Sequence, residues 1–223
     1  MKTIASYIDH TILKPTAVAA DIQQLCEEAM RFGFAAVCVP PQFVKLAATL
    51  TAGSGVKVAT VIGFPFGYNS TAAKVLEIRQ AIADGADELD MVHNISAVKE
   101  GAYALLAAEV AQCLQPVRLH DKCLKVIIES GILTDEEIVR SCEVYGRHKV
   151  DFVKTSTGYA DTGATLHAVK LMRASLPAAI EIKASGGIRD YTFAAALVDA
   201  GATRIGASAG VSIVKEEKET AAR

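Results

Sequence analysis

Val150-Asp151-Phe152-Val153-Lys154-Thr155-Ser156-Thr157-Gly158 is a short run of strand-forming residues that delivers a lysine and then breaks into hydroxyls and glycine. Ala179-Ile180-Glu181-Ile182-Lys183-Ala184-Ser185-Gly186-Gly187 repeats the shape. If the two runs are neighbours in one parallel sheet, both ammonium groups stand at the same sheet edge. Burial on so apolar a strand disfavours the charged amine and lowers its pKa, and a like charge beside it lowers one of the two further. A free amine near neutral pH is what an imine-forming nucleophile requires. The alternative is a solvated strand-end charge whose stem covers apolar surface, the commoner role of a lysine taken alone. Two such lysines, each followed by a small-residue turn, shift the balance toward function.

The same strand-and-break pattern recurs along the chain, at 7–11, 34–39, 56–62, 88–92, 123–129, 150–154, 179–183 and 203–206. Between these runs the apolar spacing is helical. Ile22, Leu25, Cys26, Ala29 and Met30 share a face before Gly33, and a short helix is predicted over 42–50. Val75, Ile78 and Ile82 align between about Ser70 and Gly85, and an alanine-rich helix is predicted over 98–114. Thr134-Asp135-Glu136-Glu137 reads as a capping box opening a helix with Ile138, Cys142 and Tyr145 inward, ending near Gly146. Leu166, Val169 and Met172 mark the next helix, and Asp190 caps one that ends at Gly201. A helix-ending glycine before the second, fourth, sixth and eighth strands is a weak internal echo. Strict alternation implies a parallel sheet, and eight units in 223 residues imply an α/β fold, a closed (β/α)8 barrel. One domain is expected over 1–223, with a polar tail that frays from about 216.

Composition narrows the function. Hydrophobic residues make up 51% of the chain and the formal net charge is −2, which points away from a disordered tail or a nucleic-acid surface. The five cysteines form no C-x-x-C spacing and read as reduced core thiols. The N-terminal residues lack a signal-peptide core, and no apolar run reaches membrane-spanning length, so a cytoplasmic location is expected. The five histidines are dispersed without ligand spacing, so neither a metal nor another cofactor is expected and carbonyl activation falls to a lysine imine.

In such a barrel the C-terminal strand ends build the active site. The residues to test there are Asp9, Cys38, Thr60, Asp90, Glu129, Lys154, Lys183 and Gly206. Asp90 shares a strand face with Glu88 and lies nearer the mouth, where it can accept and return protons or simply orient the lysines. Gly186-Gly187 and Gly206-Ala207-Ser208 follow the seventh and eighth strands, the position of phosphate sites in many barrels. Gly158 adds an N–H from the loop after Lys154. Each glycine loop alone reads equally well as a plain turn. Cys38 is a candidate nucleophile, though an inert buried thiol is the simpler reading.

Asp9-His10-Thr11-Ile12-Leu13-Lys14-Pro15, Val61-Ile62-Gly63-Phe64-Pro65, Gly85-Ala86-Asp87-Glu88-Leu89-Asp90-Met91-Val92, Phe152 to Gly158, Lys183-Ala184-Ser185-Gly186-Gly187-Ile188-Arg189 and Gly201 to Gly206 together resemble the deoxyribose-phosphate aldolase family over nearly the whole chain. The resemblance implies reversible cleavage of 2-deoxy-D-ribose 5-phosphate to D-glyceraldehyde 3-phosphate and acetaldehyde, a lyase reaction of deoxyribonucleotide catabolism. By motif position Lys154 matches the Schiff-base lysine, Lys183 the lysine that lowers its pKa, and Asp90 the proton relay. It implies substrate contacts at Asp9, Thr157, Gly158, Gly186, Gly187, Gly206 and Ser208, and small sugar phosphates and aldehydes as the only partners besides further copies of the chain, a dimer first. His93 stands where the family pattern has an aliphatic residue and Ala209 where many members have serine. The tyrosine that ends some members and reaches their active site has no counterpart here, so proton exchange is expected to rest on Asp90, lysine and water. A second imine-forming sugar-phosphate aldolase or transaldolase, and a silent sugar-phosphate binder, are the rival readings.

Overall fold

The structure is a computed structural model that describes residues 3–221. Eight parallel strands close in sequence order, β1 (Ile8–Thr11), β2 (Ala36–Val39), β3 (Lys57–Ile62), β4 (Glu88–Val92), β5 (Cys123–Ile127), β6 (Phe152–Lys154), β7 (Glu181–Ser185) and β8 (Arg204–Ala207). The pairing of Asp9 with Gly206 joins β1 to β8 and removes both sheet edges. Helices α1 (Ala19–Phe32), α2 (Val44–Leu50), α3 (Thr71–Ala83), α4 (Ile95–Lys99), α5 (Tyr103–Leu119), α6 (Asp135–His148), α7 (Leu166–Ser175), α8 (Tyr191–Asp199) and α9 (Gly210–Ala221) form the outer layer. The expected (β/α)8 barrel is therefore the fold. No described helix is long and apolar enough to cross a membrane.

The outer core lies between strands and helices. On α1 the stripe Ile22, Leu25, Cys26 and Ala29 is buried, but Met30, expected on that stripe, is 40% exposed. One residue past Ala29 is a turn of about 100°, which carries Met30 off the stripe. The helix expected over 98–114 is two helices, because Gly101 takes a left-handed φ of 67° between α4 and α5. α5 then runs past its Pro116 to Leu119. α6 continues through Gly146, where a Cβ would lie 3.0 Å from Pro177, and ends at Lys149 in the left-handed region. That glycine serves packing against α7's C-terminal turn rather than termination.

The polar tail from about 216 makes contacts of its own. Residues 216–221 are helical within α9, and only the last two residues lie outside the described ones. Glu216 accepts the Tyr191 N–H at 2.8 Å and Glu217 the Ile4 N–H at 2.9 Å. Both donors open helical turns and have no intrahelical partner, so these glutamates hold the tail onto the barrel.

The capping box is present: Glu137 N–H donates to Thr134 Oγ1 at 3.2 Å and Thr134 N–H to Glu137 Oε2 at 2.8 Å. Thr134→Ala is expected to cost about 1 kcal/mol, read as a melting point lower by about 2–4 °C. Deeper in the outer layer, Lys74 of α3 donates to Glu109 of α5 and to the Val92 carbonyl at 2.8 Å. That bond fixes the C-terminal end of β4, the strand that carries Asp90.

Candidate active site

Strand register brings the ionisable residues of six strands together inside the barrel. Alternation sends Glu88 and Asp90 to the same face of β4, and parallel pairing sets Asp90 beside Lys125, Lys154 beside Lys183, and Lys183 beside Arg204. Lys154 and Lys183 then converge on one carboxylate oxygen, Asp90 Oδ2, at 2.8 and 2.7 Å. The other oxygen, Oδ1, accepts from Lys125 at 2.9 Å. Lys183 also donates to Asp9 Oδ2 at 2.5 Å, Lys125 pairs with Glu88 at 2.6 Å, and Arg204 bridges Asp9 at 2.6 Å and Glu88 at 3.1 Å. The two strand-end lysines thus share one acceptor, joined through the aspartate.

Charges this deep are tolerable only because each is matched by an opposite charge and a hydrogen bond. Burial pushes the Asp90 carboxyl up, but Lys125, Lys154 and Lys183 together hold it well below the usual carboxylate range. Burial likewise opposes Asp9, and Lys183, Arg204 and Lys125 override it, bringing Asp9 to about 2. For Lys183 the attraction of Asp9 and Asp90 outweighs burial and raises the amine. For Lys125 the carboxylates Asp90, Glu88 and Asp9 do the same. Lys154 goes the other way. Burial and the charge of Lys183 lower its amine more than Asp90 raises it.

Position separates the lysines in the same manner. A cleft of about 530 Å³ opens at the C-terminal strand ends, and Lys154 lines it while Lys125 and Lys183 do not. Gly158, Gly186, Gly187, Arg189, Gly206 and Ser208 line the same cleft. Gly186 and Gly187 have φ values of 89° and 78°, a left-handed turn that presents backbone N–H groups without side chains in the way. Ser208 lies two residues before Gly210, the first residue of α9, whose free N–H groups favour an anion. Gly206 has a further reason to be glycine: a Cβ there would lie 3.0 Å from Lys183 Cε. Tyr159 roofs the cleft, donating to the Leu13 carbonyl at 3.0 Å and packing edge-on against Phe64 at 5.5 Å.

Two expected substrate contacts have other partners in this structure. Asp9 is fully buried below the cleft, with one oxygen on Lys183 and the other on Arg204. Thr157 lines the cleft, but its hydroxyl donates to Glu129 in a short bond and accepts from the Tyr159 N–H at 3.0 Å. Its own N–H also goes to Glu129, at 3.2 Å, so its donors shape the loop after Lys154. Glu129, expected at the mouth, is thus a loop anchor whose carboxyl burial pushes up. The Cys38 thiol is fully buried and pushed up, chiefly by burial, as an inert core thiol should be. His93 is a buried neutral imidazole, lowered to about 3 by burial and Lys74, with Nδ1 3.0 Å from the Tyr145 hydroxyl.

Sequence reasoning passed over Lys125, Arg204 and the pairing role of Glu88. For Lys125 a signal was present, since a single cation stands between Leu124 and Val126 inside an apolar strand. Arg204 opens its strand and looks like an ordinary surface charge until the barrel closes around it.

The chain as a whole has close relatives among known proteins. The "Deoxyribose-phosphate aldolase 1" of Bacillus licheniformis is 52% identical over 214 residues, which cover 96% of this chain and 96% of that protein. The solved structure described as "QR15, an Aldolase" superposes with a TM-score of 0.93 at 40% identity, covering 100% of this chain and 99% of that one. A deoxyribose phosphate aldolase from Aeropyrum pernix, described as having a unique tetrameric structure, gives a TM-score of 0.91 at 32% identity over 97% of this chain and 92% of that one. The model of the family described as DeoC/LacD family aldolase matches residues 3–216, which takes in every strand and every charged residue of the cluster. With fold, buried lysine pair and family match coinciding over the same residues, this chain belongs to the DeoC/LacD family of aldolases.

Proposed function

We propose that the chain is a class I deoxyribose-phosphate aldolase in which Lys154 forms the imine. One observation carries the assignment of the nucleophile: of the three lysines in the cluster, Lys154 alone lines the cleft and alone has a lowered amine pKa. A free amine attacks C1 of the open-chain sugar phosphate, and loss of water leaves an iminium. Removal of the C3 hydroxyl proton breaks the C2–C3 bond, and its electrons move into the iminium to give an enamine. D-Glyceraldehyde 3-phosphate departs, C2 is protonated, and hydrolysis releases acetaldehyde and the free lysine. Lys183, held as an ammonium by Asp9 and Asp90, lowers the Lys154 amine and supplies and recovers the proton. Asp90 holds both lysines on one oxygen and relays protons with water.

The Gly186–Gly187 turn, Gly158, Ser208 and the α9 N-terminus suit the substrate phosphate, which fixes the far end of the sugar and limits unproductive poses. Gly206 opens the floor of the cleft, while Asp9 and Thr157 act on substrate through Lys183 and the loop. Ser208→Ala is expected to raise KM for 2-deoxyribose 5-phosphate about ten- to a hundredfold, the loss of one hydrogen bond to a charged group. KM for unphosphorylated 2-deoxyribose should stay unchanged, and parallel steady-state assays check this. The reaction itself is tested by following acetaldehyde release from 2-deoxyribose 5-phosphate. Turnover of ketose phosphates without acetaldehyde would favour the rival aldolase.

The chain is further inferred to self-associate in the cytoplasm, a dimer first. The Phe66 and Tyr68 rings stack at 5.4 Å while 56% and 70% exposed, a surface suited to burial, and the Aeropyrum relative is described as tetrameric. The free cysteines suit a reducing compartment. Light scattering on the purified protein gives the assembly directly.

A further inference from the structure

The charges beneath Lys154 form one connected ladder through the barrel. Asp90 joins Lys154, Lys183 and Lys125; Lys125 joins Glu88; Arg204 joins Glu88 to Asp9; and Asp9 returns to Lys183. The Phe152 ring lies against both Lys125, at 5.9 Å, and Arg204, at 5.5 Å, so the ladder is closed off by an aromatic face. Glu88 is the first residue of β4 and lines a separate cleft at the opposite, N-terminal mouth of the barrel. The ladder therefore runs from the reacting amine to the far end of the barrel.

Its formal charges have a consequence. Lys125, Lys183 and Arg204 carry three positive charges, and Asp9, Glu88 and Asp90 carry three negative ones. The set is balanced before Lys154 is counted. A protonated Lys154 is thus the one surplus charge in a largely buried layer, and its loss of a proton restores neutrality. Three-against-three matching explains why Lys154 is the odd member although its neighbours are chemically identical lysines.

Resting on the imine role of Lys154, we propose that Lys125 and Glu88, neither of which reaches the cleft, are positioning residues that set the protonation state of Lys154 from below, with opposite signs. Lys125 acts by engaging Asp90 Oδ1, which draws the aspartate's charge away from the oxygen that Lys154 uses. Glu88 acts by balancing Lys125 and Arg204, which otherwise leave a net positive field under the amine. The other ionisable groups facing Lys154 are Asp90 from β4, Lys183 from β7, Asp9 from β1, the Cys38 thiol from β2 and Glu129 after β5. Lys14 and Arg189 line the cleft above it. Cys38 is held neutral and Glu129 is bonded to Thr157, so the ladder is the adjustable part of this environment.

The test is the pH dependence of cyanoborohydride trapping of acetaldehyde on Lys154, since acetaldehyde has no titratable group. Removing a unit charge two contacts away at Lys125, or three contacts away at Glu88, moves such a midpoint by about one pH unit or more at an effective dielectric constant near 20. Lys125→Met is expected to move it up by about one unit or more, because the carboxylates left behind favour the ammonium. Glu88→Gln is expected to move it down by about one unit. The double variant removes one charge of each sign, and its midpoint should return to within about half a unit of wild type. Glu88→Gln is isosteric and stands at the edge of the barrel, so it decides the matter alone if Lys125→Met does not fold. Midpoints that stay at the wild-type value, or that move in the same direction in both variants, overturn the proposal while leaving the imine intact. Absence of trapping in the wild type overturns both.

Discussion

Lys154→Leu is expected to abolish cleavage of 2-deoxyribose 5-phosphate, with kcat/KM lower by about 10⁴-fold or more, because Lys154 is the one lysine of the buried cluster that lines the cleft, while Lys14 at its rim is exposed and paired with Asp21. Lys183 and Lys125 do not substitute: they lie off the cleft and are held as ammonium groups by Asp9, Asp90 and Glu88. The fold should survive. Asp90 keeps two of its three cationic partners, and leucine retains the apolar stem that packs in the strand. A melting curve close to wild type beside the lost activity separates chemistry from unfolding, and phosphate-ester binding at the glycine loops should persist. Activity within tenfold of wild type would mean that the imine forms elsewhere.

Lys183→Leu is expected to have the second-largest effect, and a different signature. Without Lys183, Asp90 Oδ2 serves Lys154 alone, and the repulsion that lowers the Lys154 amine disappears. Its pKa rises, and each unit of rise reduces the free amine about tenfold below the new midpoint. The acidic limb of kcat/KM therefore moves to higher pH. A loss of about 10²–10³-fold near neutrality should shrink as the pH is raised and the amine is freed, leaving at high pH only the loss of the proton donor. A pH profile of the variant reads both contributions. A loss of equal size at every pH would assign Lys183 to proton donation alone.

The legible parts of this protein were those encoded by neighbours along the chain. Apolar runs broken by Gly, Pro or hydroxyl residues located all eight strands, and Thr134 and Asp190 capped the helices they were expected to cap. Lys154 and Lys183 stand out because each apolar run ends in a lysine followed by a small-residue turn, and Asp90 because it shares a strand face with Glu88 nearer the mouth. What escaped reading depends on partners far apart in sequence. Arg204 meets Asp9 across 195 residues, and Lys183 meets the same carboxylate across 174. No local period reports such contacts, so the sequence does not show that Asp9 pairs with Lys183 and Arg204. The choice of Glu129 over Lys125 on β5 followed from taking the last ionisable residue of the run. The chain leaves the strand after Ile127, and Glu129, at a left-handed φ of 51°, turns toward Thr157. The contacts of the tail are illegible for the same reason: Glu216 and Glu217 look solvated until the N–H groups of Tyr191 and Ile4 are brought to them.

The imine at Lys154 is tested most directly by reducing the protein with borohydride in the presence of acetaldehyde and mapping the modified peptide by mass spectrometry. The expected result is a single N-ethyl group on Lys154. An adduct on Lys183 or Lys125, or a folded protein with no adduct at all, would contradict it.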